Sequence, residues 1–192
     1  MTPTTATTVP PTPALMTAEE FVKLHGDESG VELVKGRVVR YPMPGFDHGE
    51  VCSKANYFVT RHVIEHGLGQ VVSNDTFVRV TTNPDTYRGA DVCFISYARL
   101  PKEQPRPKGP LEVPPELVVE VRSPTDRLSQ LTAKAFEYLE AGVTVVVVLD
   151  PNTESAAVFR AEELPQRFSN GDELTLPDVL PGFGVPVRKF FE

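Results

Sequence analysis

Asp91 in GADVCFI and Glu120 in ELVVEVRS each interrupt an otherwise apolar stretch. An ionised carboxylate among Val, Phe and Leu is costly unless a cation or a metal answers it, so both positions are informative. Strand parity puts Glu116, Val118, Glu120 and Arg122 on one face and Leu117, Val119 and Val121 on the other, which sets Glu120 and Arg122 side by side. If the strands carrying Asp91 and Glu120 pair through the proline-rich connection between them, the two carboxylates converge on one hard divalent cation. Mg²⁺ or Mn²⁺ suits so small a ligand set, because such an ion takes one or two carboxylates and keeps several waters. It would activate a water and neutralise charge on a phosphoryl group. The structural alternative is a buried ion pair of these acids with Arg122 or Lys134.

A second pattern carries a different chemistry. His62-Val63-Ile64-Glu65-His66 fits the H-x-x-E-H arrangement in which two histidines bind zinc and Glu is the base. Against it, His62 falls within the apolar stripe of its helix, and a histidine near a helix C-terminus is favoured by the dipole alone. Asp150, in Leu-Asp-Pro at a strand end, reads as turn chemistry. Arg99, Lys102, Arg106 and Lys108 read as solvated loop charge that could touch a nucleic-acid backbone.

The elements that position these residues follow from pattern and punctuation. Residues 1–14 are Thr, Pro and Ala with almost nothing to bury and are expected to form a disordered tail, leaving residues 15–192 as one domain. Thr17 with Glu20 makes a capping box for a helix ending near Gly26. VELV and RVVRY flank Lys35-Gly36 as a tight hairpin. Val51, Ala55, Phe58, Val59 and Val63 recur at helical spacing from Asp47 to His66, with Gly67 as the stop. GQVVSND, TFVRVT and ADVCFIS read as three short strands, and the six prolines between residues 98 and 115 mark a surface loop.

ELVVEVRS is then a strand. Ser123-Pro124-Thr125-Asp126 is expected to cap a helix whose core face is Leu128, Leu131, Ala135 and Leu139. Gly142 ends that helix, and VTVVVVLD is a continuous apolar run, the pattern of a strand buried on both faces. Strand, helix, strand predicts a right-handed crossover. One more strand near residues 155–160 precedes a loop rich in acidic residues, Pro and Gly, and a short end containing Phe190 and Phe191.

A formal net charge of −7 argues against a broadly basic DNA-wrapping surface, so any nucleic-acid contact must use a local basic patch or a metal. No apolar run approaches the roughly 20 residues that span a bilayer, and no targeting segment is visible, which predicts a soluble, cytoplasmic protein with no membrane contact. Cys52 and Cys93 are too few for a disulfide framework or a four-cysteine zinc site and read as small buried residues.

The segments VELVKGRVV, PMPGFDHGEV, GADVCFIS, ELVVEVRSPTDR, KAFEYLEAGV, VVVLDP and VLPGFGVPV run in one order through nearly everything after the tail. In that order they resemble the Uma-two family of restriction endonucleases, within the PD-(D/E)XK nuclease superfamily. The resemblance implies an α/β fold with a restriction-endonuclease-like mixed β-sheet flanked by helices. It also implies a metal site from Asp91 and Glu120, with Glu32 and His48 close by. On residue type alone Glu32 could face solvent, and His48 could simply begin its helix. Two positions depart from the superfamily pattern: Ala90 stands for Pro, and Arg122 stands at the lysine of the E-x-K element. Guanidinium stays protonated and cannot be a general base, although it can steady a phosphate. Lys134 is the substitute, since some nucleases of this superfamily carry the lysine on the following helix; the alternative for it is an ordinary helix edge.

Two function classes follow. One is a Mg²⁺- or Mn²⁺-dependent endonuclease acting on nucleic acid, with DNA the expected substrate. The other is a non-catalytic nuclease-fold protein that binds a partner or forms a homodimer, which the Arg122 replacement and the acidic charge favour.

Overall fold

The computed structural model describes residues 14–192, so the tail expected for residues 1–14 lies, save for Ala14, outside them. Helix α1 (Ala18–His25) starts as the sequence requires: the Thr17 hydroxyl accepts the Glu20 N–H at 3.2 Å while Glu20 Oε2 accepts the Thr17 N–H at 2.9 Å. Its Phe21 is fully buried against Leu33 and Tyr87. Strands β1 (Val31–Val34) and β2 (Arg37–Arg40) form the hairpin, and the positive φ of Lys35 (50°) and Gly36 (72°) gives the turn that matches strand twist. Helix α2 (Phe46–His66) buries Val51, Ala55, Val59 and Val63, one residue per turn, and stops where Gly67 takes a left-handed conformation.

Two of the three expected short strands are one. Strand β3 (Gly69–Thr81) runs through both, and its register slips between Ser73 and Thr76, where Asn74 and Asp75 have positive φ. A bulge of this kind sits where a local polar stretch looks like a break in sequence. Strand β4 (Thr86–Ser96) starts before the expected Ala90, so Arg88 and Gly89 belong to it. After the proline loop come β5 (Leu117–Val121), α3 (Leu128–Glu140), β6 (Val145–Asp150) and β7 (Ser155–Phe159).

The expected cap of α3 is not there: Arg127 holds the N-cap position without a side-chain bond, and Asp126 instead accepts the Ser123 N–H at 2.8 Å, closing the turn before the helix. Leu128 is therefore exposed, and the buried face is Leu131, Ala135, Tyr138 and Leu139. The C-terminal segment read as a loop holds β8 (Gln166–Phe168), β9 (Glu173–Thr175), β10 (Gly184–Pro186) and a short 3₁₀ helix (Val187–Phe190).

Among the described residues the main sheet has eight strands in the order β2-β1-β4-β5-β6-β7-β8, with β3 also paired to β4, and of these strand pairs only β5 and β6 run parallel, joined through α3. β9 and β10 form a separate two-stranded sheet. Parity divides the core. Leu117, Val119 and Val121 of β5 and Val145, Val147 and Leu149 of β6 face α2, Leu176, Leu180 and Phe183. Val118, Val146 and Val148 face Ala135, Tyr138 and Leu139 of α3. Every residue of β6 is buried, as its unbroken apolar run predicts, and each such valine contributes about 1.5–3 kcal/mol of burial. No helix among the described residues is long and apolar enough to cross a membrane.

Candidate active site

Strand pairing brings the two acids together. β4 and β5 are antiparallel with Val92 opposite Val119, and one step further Asp91 Oδ2 accepts the Val121 N–H at 2.7 Å. Asp91 and Glu120 both line a cavity of about 320 Å³, together with Glu32, His48, Asp75, Arg88 and Lys134. Each acid is served by a different helix. His48, in the first turn of α2, places Nε2 3.4 Å from Asp91 Oδ2. Lys134, mid-way along α3, donates to Glu120 Oε2 at 2.8 Å and lies 3.1 Å from Glu32 Oε1.

The Glu120 carboxyl is held on both oxygens, since the Tyr138 hydroxyl donates to Oε1 at 2.9 Å. Lys134 and Tyr138 are one turn apart, so α3 presents both to the same carboxyl. Lys134 also donates to the Gly89 carbonyl at 2.9 Å. Glu32 accepts from Arg88 Nη1 at 2.7 Å and from the Gly89 N–H at 3.0 Å. Arg88 spans onward to Glu137 at 2.7 Å and donates to the Tyr41 hydroxyl at 3.2 Å.

Electrostatics follow from this burial. Removal from water pushes the Glu120 carboxyl up to about 8, against the pull of Lys134, and neighbouring Asp91 adds to the rise. Burial alone would lower Lys134, but Glu120 and Glu32 hold its ammonium well above the ordinary range. Burial would raise Glu32, yet Lys134 and Arg88 bring its carboxyl below the usual value. Burial opposes charge on His48, and its contact with Asp91 overrides that and raises it. Asp75 is raised by burial and by Asp91.

Of the residues singled out in the sequence, Glu32, His48, Asp91, Glu120 and Lys134 line one cavity. Arg122 does not. It lies beyond the end of β5 and pairs with Asp150 at 2.9 Å, rather than standing beside Glu120 as strand parity suggested. Parity fails there because the strand ends at Val121. Asp150 also accepts the Asn152 N–H at 3.0 Å, the turn chemistry expected of it. Arg99 is tied to the Pro114, Pro115 and Gly142 carbonyls and is a loop anchor. In H-x-x-E-H, the His62 and His66 rings stack at 4.1 Å, each bonded to a backbone carbonyl, and Glu65 is paired with Arg61. Arg88, Glu137, Asp75 and Cys52 were not anticipated as neighbours of the site. Arg88 was the most accessible of these, as an arginine directly before GADVCFI.

The donors suit a hard divalent cation: two carboxylates of the cavity wall supply oxygen, and Glu120 sits among acids that repel one another. Asp91 and Glu120 would hold such an ion.

Comparison with known proteins agrees with this architecture. A solved structure from Anabaena variabilis ATCC 29413, titled a putative nuclease belonging to DUF820, is 19% identical. The match covers 92% of this chain and 97% of that one, with a TM-score of 0.78, which shows a shared fold. No curated protein matches. The sequence pattern of the Uma2 family, described as "Putative restriction endonuclease", matches residues 18–188, from α1 to the 3₁₀ helix, so the chain belongs to the Uma2 family.

Proposed function

We propose that residues 15–192 act as one nuclease domain that hydrolyses phosphodiester bonds of DNA with Mg²⁺ or Mn²⁺ held by Asp91 and Glu120. The observation that carries this is the delivery of Lys134 from α3 onto Glu120, in a cavity that Asp91 also lines. It supplies from the helix the lysine that the E-x-K position lacks. The ion, when bound, polarises the phosphoryl oxygen and lowers the pKa of a water.

The protein's own groups do the rest. Lys134, held charged by Glu120 and Glu32, is a fixed ammonium rather than a base; its three N–H groups serve Glu120, Glu32 and the Gly89 carbonyl, so it steadies charge on the phosphate through its field rather than by a direct bond. Glu32 and Arg88 hold Lys134 and the Gly89 backbone in place. His48 stands against Asp91 at the other wall and can hold or release a proton at Nε2. The test pairs Mn²⁺ calorimetry with cleavage of supercoiled and linear DNA by wild type and Asp91→Ala. The reading requires Mn²⁺ binding and cleavage that Asp91→Ala removes. A wild type that binds no Mn²⁺, with cleavage unaltered by the substitution, sinks it.

A further inference from the structure

His48 and Cys52 lie one turn apart on α2, and both reach towards Asp91. Cys52 Sγ is 3.4 Å from His48 Nδ1 and 3.9 Å from Nε2, and Nε2 is 3.4 Å from Asp91 Oδ2. One ligand atom from each of the three side chains lies within 4.8 Å of the others. Tetrahedral zinc, at about 2.3 Å from sulfur and about 2.0 Å from nitrogen or oxygen, sets its ligand atoms about 3.3–3.5 Å apart. The trio is therefore close to a zinc half-shell before any metal arrives, and side-chain rotation closes the remainder. The proposed hard-ion pair uses none of the sulfur.

We infer that His48, Cys52 and Asp91 form a second metal site that takes a thiophilic divalent cation, Zn²⁺ or Co²⁺, through one nitrogen, one sulfur and one oxygen. Thiolate and imidazole favour these ions over Mg²⁺, whereas oxygen-only sets do not. As the S–metal and N–metal bonds form, the Cys52 thiol proton and the proton on His48 Nε2 both leave to solvent, and the fourth position stays open to water. Burial, with Asp91, Glu120 and Asp75 adding to it, pushes the Cys52 thiol up, so the sulfur keeps its proton until a metal replaces it. Asp91 belongs to both sites. Resting here on the nuclease reading, the consequence is that a bound Zn²⁺ withholds Asp91 from the hard ion and inhibits.

The test begins with full-length protein stripped of metal and titrated with Co²⁺ alone. A thiolate-to-cobalt charge-transfer band in the near ultraviolet is expected, abolished by one equivalent of Zn²⁺. Cys52→Ser should remove the band and weaken Zn²⁺ binding about a hundredfold, with Mn²⁺ binding unchanged; His48→Gln should weaken Zn²⁺ binding about tenfold or more. Zn²⁺-loaded wild type should bind Mn²⁺ at least about tenfold more weakly, and Cys52→Ser should escape this. No band in wild type, or full Zn²⁺ affinity in a folded Cys52→Ser, overturns the site. A cobalt–thiolate band in a protein that binds no Mn²⁺ supports the soft site while the nuclease reading falls.

Discussion

Lys134 Nζ lies 2.8 Å from Glu120 Oε2, one residue on α3 and the other on β5, with a fully buried tyrosine closing the carboxyl from its other side. The same ammonium lies 3.1 Å from Glu32 on β1. Lys134 therefore ties the hairpin, the central strand and the crossover helix at one point. Around it the cations Lys134 and Arg88 face three carboxyls, Glu120, Glu32 and Glu137. An ion held as proposed by Asp91 and Glu120 would compete with the proton that burial favours on Glu120.

Lys134→Met should destabilise the metal-free protein by about 3 kcal/mol, the lower end for breaking a buried pair, because Glu120 can remain neutral while Glu32 keeps Arg88. The double Lys134→Met with Glu120→Gln should cost at least about 1 kcal/mol less than the sum of the two singles, since the two groups touch and their effects are not additive. Urea unfolding of both singles and the double checks this. Equal additivity would mean that the contact carries no coupling.

The position of Glu120 also fixes the sign of a pH effect. Its carboxyl is raised from the ordinary 4.5 to about 8, so the folded protein keeps a proton that the unfolded chain has released across that window. The stabilising contribution is complete below 4.5 and is lost as pH rises through about 8. Thermal melts should therefore fall more steeply with pH across this window for wild type than for Glu120→Gln, which stays neutral throughout. Mn²⁺ affinity of wild type should rise over the same window, because binding competes with the proton. Parallel melting curves for the two proteins would contradict the assignment.

How far the sequence exposed this site depends on the residue. Asp91, Glu120 and Lys134 were legible because a charge in an apolar strand, or beside an apolar helical stripe, is conspicuous. Arg88 and Glu137 were not, because their partnership spans 49 residues and neither breaks a local pattern. Cys52 looked like a small core residue, and only the fold brings it to Asp91. Strands β8, β9 and β10 have three residues each, too short for alternation to show, and they form because Leu174, Leu176, Leu180 and Phe183 cover the sheet. The bulge in β3 and the uncapped start of α3 are cases where packing overrode local turn signals.

Arg122 is the residue whose sequence position and structural place diverge most. Paired with Asp150 and bonded to the Asp126 carbonyl, it fastens the β5–α3 turn to the end of β6. Arg122→Gln should lower stability by about 1–2 kcal/mol through the loss of that partly buried charged bond and leave Mn²⁺ affinity unchanged. Calorimetry on the folded variant decides the matter. A Mn²⁺ affinity reduced about tenfold would return Arg122 to the cavity.

Asp91 separates a metal site from a structural ion-pair network more sharply than any other position. In metal-free protein its carboxylate adds to the burial that raises Glu120 and Asp75, so neutralising it relieves repulsion among acids. Asn at this position can still accept the Val121 N–H, which keeps the β4–β5 junction bonded. At a pH where His48 is neutral, Asp91→Asn should match or exceed the wild-type melting temperature in EDTA. With Mn²⁺ at a hundred times its dissociation constant, wild type should gain about 2.7 kcal/mol and Asp91→Asn almost none. The two proteins then exchange order of stability when metal is added. An Asp91→Asn variant that melts well below wild type in EDTA, with no Mn²⁺ effect on either, would make Asp91 a structural residue.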